Sequence, residues 1–242
     1  MTEGVIGAKV WRSPDMASAT AGDTVYPETE SLCPPRGWDP ESFAREQIRG
    51  LVRQVFFSSA SRPVRQVVFS AIEAESDMTS LCRQVGEALA QQTQETVAVV
   101  GGYPRLLQGT GAQPEESGGR TITDGGTPLR QIAARVHGNL WLVPDRANGG
   151  SSAGTSLHSY LSEVRRQFAY SIVHAPSAGE SDEAIAMAQF ADGIILALSA
   201  RRTRRAAACK IKAALEAAQA HLLGAVLCDR VFPIPEAIYR RL

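Results

Sequence analysis

Lysine is nearly missing from this sequence of 242 residues. The only lysines are Lys9, Lys210 and Lys212, so arginine supplies most of the 25 basic residues. A lysine that follows a glycine-rich loop is the usual cation beside the phosphates of a bound nucleotide. Residues 10–209 therefore contain no candidate for that role.

Long apolar runs are also lacking. No stretch approaches the roughly 20 consecutive apolar residues that are needed to cross a bilayer. The N-terminus does not show the basic-then-apolar order of a signal peptide. We therefore expect a cytoplasmic protein with no direct membrane insertion, associated with a membrane only through a partner.

Cysteine pairs and an excess of one charge are absent as well. The four cysteines are far apart in the chain and form no CxxC pair, which gives a zinc site or a disulfide framework little support. The 25 basic and 25 acidic residues give a formal net charge of zero. This balance argues against nucleic acid as a partner. We expect no metal site.

The composition changes near residue 40. Residues 1–40 are rich in Ser, Thr, Pro, Gly and Asp and lack periodicity, which predicts a flexible N-terminal arm. Residues 41–242 are sufficient for a single α/β domain with a sizeable core. Within that domain, residues 101–127 are rich in Gly, Pro and Ser, and their length predicts a mobile loop.

Short apolar runs alternate with helical patterns along the domain. Strands are predicted at residues 64–71, 96–100, 139–143, 170–174, 193–198 and 222–227. Helices are predicted at residues 41–57, 78–92, 128–136, 157–168, 180–190 and 203–220. This alternation predicts an α/β fold, a mostly parallel sheet of about six or more strands with helices on both faces. Such sheets bind ligands at the carboxyl ends of their strands.

Four segments resemble those of a known family. They are the helical residues 45–53, the strand residues 168–176, the strand with its arginine-rich turn at 190–205, and the strand residues 224–230. From about residue 43 onward the sequence resembles the bacterial tyrosine-kinase (BY-kinase) family, the CpsD/CapB-type capsular polysaccharide ATPases, which are relatives of MinD and ParA. The resemblance implies a P-loop NTPase-like fold, ATP and Mg²⁺ as cofactors, and a place in exopolysaccharide (capsule) biosynthesis.

The resemblance implies a Walker A phosphate loop at residues 71–80, but this stretch has neither glycine nor lysine. Without glycine, a close approach of the backbone to phosphate is costly. Acidic side chains would oppose the triphosphate, against only ~0.5 positive charge at a helix N-terminus. Thr79 or Ser80 could supply a hydroxyl for magnesium, or could be a helix cap. The degenerate positions of the loop are Glu73, Glu75, Asp77, Met78 and Thr79.

The family's next two turns are also altered. Gly101 and Tyr103 occupy the turn where the family has aspartates, so this carboxylate turn is degenerate. His174 occupies the Walker B position of the magnesium-binding aspartate, and neutral imidazole suits transition metals better than Mg²⁺. His174 could be a catalytic base or a structural hydrogen-bonding residue. We expect no catalytic residue and no cofactor, with ATP and Mg²⁺ as the alternative.

A partner surface is implied by the helix at residues 41–57. In the family this helix carries a Glu-x-x-Arg-x-x-Arg pattern that is used in ring-like self-association. Glu46 and Arg49 fit that pattern, whereas Val52 occupies the third position and Arg53 follows it. Glu46, Arg49 and Arg53 are therefore a possible partner interface, or else a solvated helix face. The implied partners are a membrane polysaccharide co-polymerase or an active paralogue, with a homo-oligomer possible.

Three functions stay open at this level. The first is a pseudo-ATPase or pseudokinase that acts as a scaffold or regulator in exopolysaccharide export. The second is an active ATPase or tyrosine autokinase with a non-standard phosphate site, acting at Tyr239 in the C-terminal tail. The third is an anion binder at the Gly101–Gly102 turn or at the arginines of residues 201–205.

Overall fold

The computed structural model describes residues 5–7, 40–58, 63–73, 78–101, 129–144 and 157–230. The helices are α1 (Pro40–Phe56), α2 (Met78–Gln92), α3 (Leu129–Ile132), α4 (Leu157–Gln167), α5 (Glu183–Phe190) and α6 (Arg205–Ala217). The strands are β1 (Val5–Gly7), β2 (Gln66–Ala71), β3 (Val97–Val100), β4 (Ala134–His137), β5 (Leu140–Val143), β6 (Tyr170–His174), β7 (Gly193–Ser199) and β8 (Leu222–Arg230).

All eight strands form one sheet in the order β1-β8-β7-β2-β6-β3-β5-β4. The six central strands are parallel to one another, whereas β1 and β4 pair antiparallel at the two edges. The predicted fold class is therefore confirmed. The strand of the expected phosphate loop, β2, lies between β6 and β7, which places their following turns side by side.

Helices cover both faces of the sheet. One core cluster joins the sheet to α1 and α2, and the other joins it to α3, α4, α5 and α6. Every residue of β2 and β3 is buried, as expected for central parallel strands with covered faces. This explains why the sequence shows them as continuous apolar runs rather than alternating ones.

Helix α1 is amphipathic and packs through one stripe. Its buried residues are Ile48, Leu51, Val52, Val55 and Phe56, which recur at helical spacing. The arginines of the predicted partner surface fall on the opposite, exposed face. None of the helices among the described residues is long and apolar enough to cross a membrane.

One helix prediction is wrong. The helix expected at residues 128–136 ends at Ile132, and β4 begins at Ala134. A turn at Gly138 and Asn139 then returns the chain into β5, and Gly138 has a positive φ of 52° that a side chain disfavours. A continued helix would have bonded these backbone groups internally. In the hairpin, pairing of β4 with β5 satisfies them instead.

A short strand occurs within the segment predicted as an arm. Val5–Gly7 pairs antiparallel with β8 and forms the edge of the sheet. The rest of that arm, up to residue 39, and nearly all of the predicted loop at residues 101–127 lie outside the described residues. Both therefore stay predictions.

Candidate functional site

The carboxyl ends of the parallel strands β2, β3, β6 and β7 lie side by side at one end of the sheet. Phe69 of β2 is in register with His174 of β6, and Ala71 of β2 is in register with Ala197 of β7. Val100 of β3 is aligned with β6 in the same way. We name the following segments the β2 turn (residues 72–73), the β6 turn (residues 175–179) and the β7 turn (residues 200–204).

The β2 turn is tied to the β7 turn. The Ile72 amide donates a 3.2 Å hydrogen bond to the carbonyl of Ala197. The Thr203 hydroxyl donates a 2.5 Å hydrogen bond to Oε2 of Glu73 and accepts one of 2.8 Å from the Ser199 amide. The half-buried Glu73 carboxylate is therefore hydrogen-bonded to Thr203 of the β7 turn, at the carboxyl ends of the strands.

The β6 turn is tied to the end of β2 through Ser70. The Ser70 hydroxyl donates a 2.6 Å hydrogen bond to the carbonyl of Pro176 and accepts one of 3.0 Å from the Ala178 amide. The Ala178 amide also lies 2.9 Å from the carbonyl oxygen of Ala71. These bonds join groups more than 100 residues apart, and they commit the Ser70 hydroxyl to the backbone of the β6 turn.

Ser177 and Gly179 complete this contact. The Ser177 hydroxyl donates a 2.7 Å hydrogen bond to the carbonyl of Ile72. A Cβ atom added at Gly179 would lie 2.3 Å from the same carbonyl oxygen, a distance that real contacts do not reach. The β6 turn therefore packs directly on the β2 turn, and only glycine allows that approach at residue 179.

Gly101 and His174 lie together at the end of β3 and β6. Gly101 has a φ of 90°, and its amide donates a 3.1 Å hydrogen bond to the carbonyl of Val143. A Cβ atom at Gly101 would lie 3.0 Å from the carbonyl oxygen of His174 and 3.3 Å from its Cβ atom. The structure therefore brings two of the degenerate family positions into contact, and glycine at residue 101 permits it.

The remaining positions of the degenerate phosphate loop have separate surroundings. Met78 is 4% exposed and packs in the core between the sheet and α2. Thr79 is half-buried at the start of α2, and the neighbouring Ser80 hydroxyl accepts a 3.2 Å hydrogen bond from Gln84. Glu75, Asp77 and Tyr103 lie outside the described residues.

Both C-terminal lysines lie on α6. Lys210 is exposed, and Lys212 forms a 3.5 Å ion pair with Glu216, which directs it along the helix away from the β7 turn. The exposed cations near the site are the arginines of the β7 turn and of the first residue of α6. Among the described residues, no group of three or more His, Cys, Asp or Glu side chains is arranged to hold a metal ion.

The thiol of Cys228 lies near the same edge. The Ala200 amide donates a 3.0 Å hydrogen bond to the carbonyl of Cys228, which joins the β7 turn to β8. Burial raises the pKa of the Cys228 thiol to about 11, and the neighbouring Asp229 carboxylate adds to the rise. This thiol is therefore protonated at neutral pH and is a poor nucleophile.

The possible partner surface on α1 is exposed. Arg49 forms a 3.7 Å ion pair with Glu46, and both side chains are about half exposed or more, at 48% and 60%. Arg53 is also exposed. Val52, at the third position of the family's pattern, is fully buried in the core. A charged residue at that position would therefore not fit the packing of α1 in this chain.

Sequence reasoning missed the residues that join the turns. Ser70, Ser177, Gly179 and Thr203 make these contacts, and of the four only Thr203 lies within a segment that resembles the family. The run of small residues at 175–179 was the available signal, since small residues allow close approach of two backbones. Its partner on β2 could not be read from the sequence.

Comparison with known proteins gives structural relatives. No family model and no curated protein sequence matches this chain. The kinase domain of Escherichia coli tyrosine kinase ETK matches with a TM-score of 0.64 at 14% identity, over 79% of this chain and 78% of that one. The chimerical protein CapA2B2 matches with a TM-score of 0.60 at 18% identity, over 78% of this chain and 86% of that one.

A cell-division protein shares the same architecture. MinD of Aquifex aeolicus, in a structure of the MinC:MinD complex, matches with a TM-score of 0.53 at 17% identity, over 66% of this chain and 67% of that one. Identities this low establish the architecture and not the activity. This chain has the P-loop NTPase-like α/β fold of the bacterial tyrosine-kinase domains and of MinD.

Proposed function

We propose that this protein is a catalytically inactive P-loop-type pseudo-ATPase or pseudokinase, a scaffold or regulatory component of bacterial exopolysaccharide biosynthesis and export. The observation that carries the proposal is the packing of the β6 turn on the β2 turn. Ser70, Ser177 and Gly179 hold the β6 turn directly against the backbone at the end of β2. A phosphate loop binds phosphate through free backbone N–H groups, whereas the Ile72 amide of the β2 turn is bonded to the carbonyl of Ala197.

Charge supports the same conclusion. Glu73 places a carboxylate on the β2 turn, and its donor among the described residues is the Thr203 hydroxyl. A triphosphate beside Glu73 would meet like charge in a partly buried setting, where such repulsion is screened less than in water. Lysine is absent from the whole β2 turn and from the start of α2. ATP with Mg²⁺ therefore has poor electrostatic complementarity to this edge.

An active enzyme with a non-standard phosphate site is the alternative. The cations of the β7 turn favour it, since they lie close in sequence to Thr203, which contacts the β2 turn. The expected acceptor, Tyr239, lies outside the described residues. This alternative predicts that nucleotide binds the folded protein and raises its unfolding temperature.

The exopolysaccharide role rests on the resemblance of the sequence to the capsular family. We propose a membrane polysaccharide co-polymerase or an active paralogue as the partner, with self-association also possible. The exposed residues Glu46, Arg49 and Arg53 of α1 are the proposed interface. MinD has been captured in complex with another protein, MinC, which shows that this architecture accommodates a protein partner.

Isothermal titration with ATP and Mg²⁺ tests the missing activity. We expect no binding heat at millimolar nucleotide, whereas micromolar affinity would sink the pseudoenzyme proposal. Glu73→Gln is a useful second variant because it removes the charge and keeps a hydrogen-bond acceptor for Thr203. Incubation with radiolabelled ATP should leave both the wild-type protein and Tyr239→Phe unlabelled, and label on the wild type alone would support the autokinase.

Co-purification tests the scaffold role. The protein, mixed with an active capsular kinase and the cytoplasmic part of its co-polymerase, should elute in a complex with one of them. Arg49→Glu should weaken that complex because it reverses an exposed charge on α1, and Arg83→Glu is a matched reversal on α2, outside the proposed interface. Equal effects of the two variants would remove α1 as the interface.

A further inference from the structure

The β7 turn and the start of α6 form an arginine-rich surface. Arg201, Arg202, Arg204 and Arg205 are all exposed, and no acidic residue lies in the first turn of α6. We name these four residues the arginine turn. The chain as a whole is electrically neutral, so this concentration of charge is local.

Three of these arginines, like Arg53, Arg65 and Lys210, lack the ion pairs and ring contacts that most basic side chains of the described fold make. Elsewhere, Arg49, Arg83, Arg165 and Arg166 each form an ion pair with a carboxylate. Arg130 and Arg135 lie 5.8 Å from the ring centroid of Trp141. In contrast, Arg201, Arg204 and Arg205 form neither an ion pair nor a ring contact with any residue that the structure describes.

Their place in the fold is electrostatically unfavourable. A helix N-terminus carries partial positive charge, so cations there weaken the helix and anions strengthen it. Arg204 is the N-cap residue of α6 and makes no side-chain capping bond, and Arg205 is its first residue. Residues that break a local rule without a compensating contact are expected at functional sites.

The arginine turn is also held in one conformation. The amides of Arg202 and Thr203 donate hydrogen bonds of 3.3 Å and 3.0 Å to the carbonyl of Ser199. The Thr203 hydroxyl accepts from the Ser199 amide and donates to Glu73. The backbone that carries the arginines is therefore organised before any partner arrives, which lowers the entropy lost on binding.

We infer that the arginine turn binds an acidic segment of a protein partner. The arginines are exposed and follow closely on one another along a turn and the first residue of a helix, so they offer several cations and match several carboxylates better than a single phosphate. The planar guanidinium binds a carboxylate through two parallel hydrogen bonds, which favours arginine at such an interface. Carboxylates at this place would also reverse the unfavourable charge at the start of α6. The inference goes beyond the proposed scaffold role and does not depend on the nucleotide site.

Fluorescence anisotropy with a short labelled peptide of alternating Glu and Ser tests the inference in the full-length protein at about 0.1 M salt, where the Debye length is about 10 Å. The variant Arg201→Gln/Arg204→Gln/Arg205→Gln should bind the peptide about ten-fold more weakly, the change expected when roughly three exposed ion pairs are lost. The variant Arg65→Gln/Arg83→Gln/Arg166→Gln removes the same formal charge outside both the arginine turn and the proposed interface on α1. It should bind within about two-fold of the wild type, since long-range effects of exposed charges are screened.

Three results would overturn the inference: no peptide binding by the wild type, an equal loss in both triple variants, or arginine-dependent binding to phosphatidylglycerol vesicles without binding to the peptide. Thermal unfolding provides a second readout. The triple variant of the arginine turn should unfold at a slightly higher temperature, because cations are removed from the start of α6. None of these results depends on whether the protein binds ATP. Failure of this inference is therefore distinct from failure of the pseudoenzyme proposal.

Discussion

The carboxylate of Glu73 accepts a 2.5 Å hydrogen bond from the hydroxyl of Thr203, 130 residues further along the chain. Glu73 lies at the end of the strand from which a P-loop protein would begin its phosphate loop. Thr203 lies in the turn of the adjacent strand, β7. The negatively charged Glu73 side chain is therefore hydrogen-bonded within the fold. The same charge disfavours a nucleotide at this place.

Thr203→Val should destabilise the protein. The valine side chain has a similar shape, but it leaves both the Glu73 carboxylate and the Ser199 amide without the hydroxyl that they contact. We expect a loss of about 2 kcal/mol in the free energy of unfolding, since hydrogen bonds to charged groups contribute about 1.5–3 kcal/mol. Urea denaturation measures the change. Thr79→Val, at a half-buried residue of α2, should stay within about 0.5 kcal/mol, and a similar loss in both variants would contradict the role of Thr203.

Gly179→Ala should be more harmful than its size suggests. The added methyl group would lie 2.3 Å from the backbone oxygen of Ile72, so the β6 turn would have to move away from the β2 turn. We expect destabilisation of about 1–3 kcal/mol, as in other overpacked sites. Gly50→Ala is the matched control, because no atom lies within 4 Å of an added Cβ atom there. In the middle of α1 this change should stabilise the fold by about 0.5–1 kcal/mol, and a loss at Gly50 or none at Gly179 would refute the packing argument.

Asp192→Ala should destabilise the end of the sheet where β2 begins, opposite the carboxyl ends of the strands. Its Oδ2 atom accepts hydrogen bonds of 2.7 Å and 2.8 Å from the amides of Arg65 and Gln66, and its Oδ1 atom accepts one of 2.8 Å from Arg165. We expect a loss of about 2–3 kcal/mol, because two amides at the start of β2 lose their acceptor. Asp182→Ala removes an exposed carboxylate that makes no capping bond at α5. It should change stability by less than about 1 kcal/mol, and thermal unfolding of the two variants distinguishes them.

Alkylation of Cys228 should depend steeply on pH. Burial, with Asp229 adding to it, raises the pKa of this thiol to about 11 from an ordinary value of 9.0. The thiolate is the reactive form, so iodoacetamide should modify the exposed Cys209 first at pH 8. Mass spectrometry of digested protein gives both rates.

The same pKa has a consequence for stability. Because the folded state holds the Cys228 proton more tightly than the unfolded state, its contribution to stability is fully present below pH 9.0 and is lost as the pH rises towards about 11. Cys228→Ala should reduce this alkaline loss. If Cys228 of the native protein reacted as fast as Cys209 at pH 8, the environment described for it would be wrong.

The central part of the fold could be predicted from the sequence. The strands from β2 to β8, with the exception of β4, follow apolar runs in the sequence, and α2 has the predicted bounds of Met78–Gln92. The two edge strands, β1 and β4, could not be predicted in this way. β4 has one buried residue, Ala134, and its residues continue the spacing of a helix, so only pairing with β5 makes it a strand.

The candidate site could be predicted only in its parts. Glu73, Gly101 and His174 are identifiable as altered positions because the resemblance to the capsular kinases indicates where their motifs belong. The contact between Gly101 and His174 depends on the neighbouring positions of β3 and β6, and it is so close that a Cβ atom added at Gly101 would lie 3.0 Å from the His174 carbonyl oxygen. Strand order is a long-range property, and local patterns do not specify it.

By itself, the sequence determined the class of the fold, the lack of lysine in residues 10–209 and the acidic character of the turn after β2. These follow from residue types and spacing, which act locally. Only the tertiary structure decided that the β6 turn packs on the β2 turn through Ser70, Ser177 and Gly179, and that Thr203 bonds Glu73. The reason is physical: these bonds close across more than 100 residues, and their partners are chosen by the order of the strands in the sheet.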